Sequence, residues 1–224
     1  MVGGFRNLEI GAWFLDALFP EFCVLCEREG KSLCRVCELR WIADPSLDRF
    51  ASGSPTVRGV FSLSPYPDPV MKGLLRQWKY WGQRSAGETL LRLVDEVLEV
   101  YEDALPIVDA VAAVPLHQRR LNFRGFDQAA MIAQCVATRL NKPLGNLLER
   151  VVYTIPQAKQ EREERRNAEL QNAFRVCPQA LTKLPARVLL VDDVWTSGAT
   201  MRAAARVLRQ AGAQEVWGFT CARG

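Results

Sequence analysis

The sequence predicts an α/β protein with a mostly parallel sheet flanked by helices, preceded by a small cysteine-rich unit. Two apolar runs, Ile107 to Val114 and Arg187 to Val191, are too continuous for half-exposed strands and fit strands buried on both faces. The second run passes through Asp192-Asp193 and Thr196-Ser197-Gly198 into a helical pattern over 199–211, then into another strand over Glu215 to Cys221, which makes a βαβ unit. A length of 224 residues suits one large domain with a small appendage.

Each element has its own signal. Phe5, Leu8, Ala12, Leu15 and Phe19 fall near one face at helical spacing, and Pro20 stops the pattern, so an amphipathic helix is expected over 5–19. A cysteine-rich segment follows at 21–41. Asp44 to Pro55 carries the Asp-Pro-Ser and Gly-Ser-Pro punctuation of a linker, which sets the boundary between an N-terminal unit, 1–50, and the larger domain, 51–224. Next come a strand at Val57 to Leu63, a Pro-rich turn at 65–69, and helices at 70–81 and 85–101 separated by Gly82. A helix near 127–140 separates the two buried runs. Ligands of such sheets bind at the carboxyl ends of the strands.

Composition sets outer limits. With 49% hydrophobic, 24% charged and 9% aromatic residues, apolar burial offsets chain entropy over most of the length, which excludes wholesale disorder. A formal charge of +4 is too mild to mark a nucleic-acid binder by itself, though it is compatible with anionic ligands. Charges or Pro interrupt every apolar stretch before the 18 or more residues of a membrane-spanning helix. Arg6, Glu9, Asp16 and Glu21 argue against a secretory leader. Of seven cysteines, four share one segment while Cys135, Cys177 and Cys221 stand alone, a usage that fits the reducing cytoplasm.

Three segments carry chemistry. Cys23-x2-Cys26 and Cys34-x2-Cys37 are paired knuckles able to bring four thiolates around one tetrahedral ion, with Arg28, Lys31 and Arg35 nearby to offset its charge. A structural zinc closed to substrate is one reading; redox cysteines or a disulfide pair is the other. The stretch Val188 to Thr200 delivers Asp192 and Asp193 to a strand end, then opens a helix whose unpaired N–H groups can wrap a phosphate. Thr196, Ser197 and Thr200 add hydroxyls, Gly198 permits close backbone approach, and the carboxylates can accept from sugar hydroxyls or hold hydrated Mg²⁺. The plain alternative is a βα turn with a surface Asp pair. After the first buried strand, His117, Arg119, Arg120 and Arg124 gather before Gly125, which suits either a pyrophosphate-binding edge or a solvated basic loop.

Two further stretches read both ways. Trp78, Tyr80 and Trp81 interleave with Arg76, Lys79 and Arg84, as a surface for stacking single-stranded bases would, yet Leu74, Leu75 and Trp78 make a face that must bury in the core. Glu161 to Arg166 is a mixed-charge run, either a solvated segment or a flap that closes over a water-sensitive reaction.

Residues 188–200 resemble the phosphoribosyl pyrophosphate (PRPP) motif of type I phosphoribosyltransferases. Nearly the whole chain resembles the ComF family, also called GntX-like or amidophosphoribosyltransferase-related, which is linked to competence for DNA uptake. The resemblance rests on the early helix, both cysteine pairs, Lys79-Tyr80-Trp81-Gly82, Pro115-Leu116-His117, Arg124 to Gln128 and the phosphate loop. It continues less regularly through Arg150, Thr154, Gln157, Arg165 or Arg166, Asn167 and Ala173-Phe174. It implies a type I phosphoribosyltransferase-like fold behind a zinc-binding knuckle, with structural Zn on Cys23, Cys26, Cys34 and Cys37 and with Mg²⁺ accompanying PRPP. Asp192 and Asp193 would bind the ribose hydroxyls, and Thr196, Ser197, Gly198, Ala199 and Thr200 the 5′-phosphate. His117, Arg119 and Arg124 would face the pyrophosphate, with Lys79 and Arg165 as further site residues. No residue stands out as a general base, and an amide nitrogen, a base and water remain open as acceptors. The rival from another class is a non-catalytic adaptor that contacts single-stranded DNA or a helicase of the uptake machinery. Self-association is left open.

Overall fold

A computed structural model describes residues 20–50, 56–152, 170 and 172–224. The helix expected over 5–19, and Arg165 with its mixed-charge run, lie outside the described residues. In chain order the elements are α1 (Arg35–Arg40), β1 (Ser46–Arg49), β2 (Gly59–Pro65), α2 (Pro69–Trp81), α3 (Arg84–Tyr101), β3 (Ala110–Ala113), α4 (Gln118–Arg124), α5 (Gln128–Arg139), β4 (Leu148–Arg150), β5 (Phe174–Val176), β6 (Arg187–Trp195), α6 (Ala199–Gln210) and β7 (Glu215–Arg223). The main sheet has the order β1-β2-β7-β6-β3. Its strands are parallel except for β1, which runs antiparallel on the β2 edge.

Alternation along the buried strands explains the layers. On β6, Leu189 and Val191 face a core shared with α2, α3 and α5, while Val188 and Leu190 face a second core shared with α6 and the β4–β5 pair. Successive side chains point to opposite faces of a strand, so a continuous apolar run needs cover on both sides, and the helices supply it. The caps follow the local sequence. Asp68 Oδ1 accepts from Met71 N at 2.7 Å to start α2, with Pro69 in its first turn. Helix α3 packs so closely on α2 that a Cβ at Gly87 would lie 2.6 Å from the Trp78 indole.

The cysteine-rich unit is joined to these helices rather than tethered beside them. Cys23, Leu33 and Cys37 belong to the same core as α2 and α3. Polar contacts reinforce the join: Gln77 Nε2 donates to the Phe22 carbonyl at 2.9 Å, Trp41 Nε1 to Asp68 Oδ2 at 3.0 Å, and Arg92 pairs with Glu38 at 2.9 Å. The sheet itself reaches back across the 50/51 boundary to Ser46, because the segment expected to be a linker pairs with β2 as β1. β3 is shorter than the apolar run that announced it: Ile107 is 73% exposed, and pairing with β6 begins only at Ala110.

Candidate functional site

β3 and β6 are parallel neighbours, so the segments leaving their carboxyl ends open side by side. Between them lies a cleft of ≈350 Å³ reached by Lys79, Arg120, Arg124, Arg150, Asp127, Asp192 and Asp193, with Thr196 and Thr200 at its phosphate-loop side. Four cations and three acids converge there, which is chemistry for a polyanion that also carries hydroxyls.

Asp192 and Asp193 sit half-buried near the end of β6. Lys79, at the end of α2, places Nζ 2.5 Å from Asp193 Oδ2, and that pairing outweighs burial to hold the ammonium above its usual range. Asp192 accepts instead from the backbone N–H of Asp193 at 2.8 Å. Burial first, and the neighbouring Asp193 charge second, push the Asp192 carboxyl up to about 7. A cation bound here would favour the ionised form, so the pair fits a divalent ion such as Mg²⁺.

The loop after β6 encloses a cavity of ≈20 Å³ walled by residues 192 and 194–201, room for about one water-sized group. Gly198 is the N-cap of α6 at φ +70, and a Cβ there would meet the Trp195 ring at 2.2 Å. Its glycine is therefore set by left-handed backbone and by the tryptophan beneath it, and not by close ligand approach alone. Thr196 and Ser197 are exposed, Thr200 and Ala199 half-buried.

On the β3 side, α4 carries Arg120 and Arg124 into the cleft, while Arg119 is exposed and is not among the residues that line it. The helix explains the exchange, because i and i+4 share a face and Arg119 is out of phase. His117 caps α4: its Nδ1 accepts from Arg119 N at 3.1 Å. Burial, then the charges of Arg119, Arg150 and Arg120, hold the imidazole below its usual value. Phe126 stacks on Trp78 with centroids 5.6 Å apart, fixing the Arg124 turn against α2. Asp127 then closes the segment, accepting from Leu116 N at 3.2 Å and Ala130 N at 3.1 Å. Arg150 enters from β4, beside the Phe174 ring at 5.3 Å.

The four paired cysteines form a separate centre. Their sulfurs lie within 4.8 Å of one another, and Cys26 Sγ stands 3.6 Å from Cys34 Sγ. Thiolates about 2.3 Å from one tetrahedral zinc are about 3.8 Å apart, so the cluster fits that ion. Although burial opposes it, backbone N–H groups of Cys34, Cys26 and Leu25 bring the Cys23 thiol down to about 6. Cys37, hydrogen-bonded to the Cys34 thiol and buried among its neighbours, is pushed up to about 12. A cation at the centre of the cluster would favour the thiolate form of its ligands. All four positions are cysteine, which leaves no place for a substrate.

The phosphoribosyl transferase domain family matches residues 127–221. Over 207 residues the chain is 30% identical to competence protein F of Haemophilus influenzae, covering 88% of this chain and 89% of that protein. It is 32% identical over 206 residues to DNA utilization protein YhgH of Salmonella typhi, covering 87% of this chain and 86% of that protein. Competence protein ComFC of Streptococcus pneumoniae is 26% identical over 154 residues, or 69% of this chain and 64% of that one. A solved glutamine PRPP amidotransferase from B. subtilis superposes with a TM-score of 0.43 at 20% identity, over 65% of this chain and 30% of that one, too loosely to carry an argument.

Proposed function

The chain belongs to the ComF (competence protein F) family and carries its phosphoribosyl transferase domain, and on that premise we propose that it binds PRPP with Mg²⁺ and transfers the phosphoribosyl group. The observation that carries this reading is the convergence of Asp192, Asp193, Thr196, Thr200, Arg120 and Arg124 on one cleft at two adjacent strand ends. Asp192 and Asp193 accept from the ribose hydroxyls. The loop at 196–200 takes the 5′-phosphate on its hydroxyls and on the first N–H groups of α6. Arg120, Arg124 and Arg150 hold the pyrophosphate as it departs, fixed donors for charge that develops on the leaving group. Lys79 holds Asp193 in place through its ion pair. A bound Mg²⁺ would be held by Asp192 and Asp193 and would supply charge neutralisation beside the arginines. Zinc on the four cysteines is structural. No described helix is long and apolar enough to cross a membrane, and the proposed place of work is the cytoplasm.

A second reading has its own observation. Trp78 is buried, as the core requires, but Tyr80 and Trp81 are 71% and 60% exposed, with Arg76 5.7 Å from the Trp81 ring centroid. Such a surface suits an adaptor that stacks single-stranded bases. One experiment separates the two: incubation with PRPP, Mg²⁺ and a panel of amide, base and water acceptors, with pyrophosphate release read beside single-stranded DNA binding. Pyrophosphate release that is lost in Asp192→Asn supports the transferase. Absence of PRPP binding in zinc-loaded protein, together with salt-sensitive DNA binding abolished by Trp81→Ala, would overturn it.

A further inference from the structure

The loop at 196–200 rests on a stack of side chains that comes partly from the N-terminal unit. Trp195, the last residue of β6, is 6% exposed and walls the ≈20 Å³ cavity inside the loop. Its ring passes so near Gly198 that side-chain atoms there would overlap it. The Arg202 guanidinium lies 5.4 Å from the Trp195 ring centroid, and its Nη2 also donates to the Ser197 carbonyl. The Phe50 ring stacks on Trp195 with centroids 5.5 Å apart and planes at 26°. The Arg223 guanidinium lies 5.8 Å from the Phe50 ring and is paired with Asp48 of β1. Backbone bonds pin both aromatics: Phe50 N donates to the Arg58 carbonyl at 2.9 Å, and Gly224 N to that of Trp195 at 2.8 Å.

We propose that Trp195 and Phe50 are positioning residues, which hold the backbone of 196–200 in the one conformation that receives a phosphomonoester. The inference rests on the phosphate role proposed for that loop. A loop whose binding-competent form is populated only in part binds more weakly by that fraction, so a rigid aromatic backing appears directly as affinity. The backing lies behind the phosphate end of the site, whereas the cleft arginines come from α4 and β4. Its removal is therefore felt by ligands that carry the sugar phosphate and not by pyrophosphate.

Calorimetric titration of the full zinc-loaded chain with ribose 5-phosphate, with PRPP–Mg²⁺ and with pyrophosphate–Mg²⁺ tests this. Phe50→Leu and Trp195→Leu should each weaken ribose 5-phosphate and PRPP by about five- to tenfold with pyrophosphate affinity unchanged. Trp195→Phe, which keeps a ring under Gly198, should recover most of the loss. If Trp195→Leu fails to fold, Phe50→Leu, half-buried at the rim of its core, carries the test alone. Parent affinity for ribose 5-phosphate in folded Phe50→Leu, or equal losses for all ligands, would overturn the proposal while leaving the PRPP reading intact. A parent chain that binds none of the three ligands sinks both.

Discussion

Adjacent carboxylates at the end of a buried strand repel each other, and partial burial keeps water from screening them. The Asp192 carboxyl, ordinarily at 3.8, is raised to about 7, so between those values the folded chain holds a proton that the unfolded chain has released. Stability from this group is complete below the unfolded value and is lost as pH rises through the folded one. Asp192→Asn should therefore raise the Tm at pH 8, by about 2–4 °C for each kcal/mol relieved, and leave it unchanged at pH 4. The same substitution should weaken PRPP–Mg²⁺ binding tenfold or more, about 1.4 kcal/mol. Thermal scans at both pH values check the first part, and an equal gain at each would refute it. Lys79→Met strands Asp193 and should cost about 1.5–3 kcal/mol, as losing a bond to a charged group does. Asp193→Asn in the same chain should recover much of that loss, and a double-mutant cycle measured by denaturant unfolding reads the coupling. At this scale the acids, the hydroxyl loop and the cysteines were legible because their chemistry is written in adjacent letters. Arg120 stood in the basic cluster beside Arg119, but choosing between them requires the phase of α4, and i,i+4 spacing to Arg124 was the available signal. Arg150 was marked only by the family resemblance, with no role attached, and Tyr66 reaches the cleft through folding with nothing in its neighbourhood to announce it.

Elements became legible in proportion to their periodicity. Helices α2, α3, α5 and α6 and strands β6 and β7 lie where apolar spacing put them, because each buries a continuous stripe or run. The β4–β5 pair and β1 are three or four residues long and take their order from neighbours. Helix α4 buries none of its residues and Phe123 is 92% exposed, so no amphipathic stripe marked it; its caps, His117 and Gly125, define it instead. The strand-to-helix turn of the phosphate loop has a sharper requirement. Gly198→Ala adds a methyl at positive φ against the Trp195 ring, a change expected to cost roughly 1–3 kcal/mol for the strained backbone alone. PRPP affinity should fall at least tenfold even in folded protein, since the whole loop must move. Circular dichroism paired with calorimetry checks this, and parent affinity in the variant would show that the loop tolerates the methyl.

Across the whole molecule, one core runs from the cysteine cluster through α2 and α3 to the sheet. Zinc removal should therefore lower the melting of the entire chain in a single transition, and Cys34→Ser should do the same while reducing metal content from about one zinc per chain. Scanning calorimetry that resolved an early, separate transition for the cysteine-rich unit would refute the shared core. The junction between the two units has a practical consequence as well. β2 is buried over Gly59–Ser64, and its outer backbone is covered by β1. A fragment beginning at residue 51 would leave that apolar strand as an open edge, free to pair with another copy. Such a truncation should precipitate or enter large aggregates on size-exclusion chromatography, whereas the full chain keeps the strand guarded. Residues 46–49, inside the segment that composition alone would have discarded as a spacer, are thus what closes the edge of the sheet.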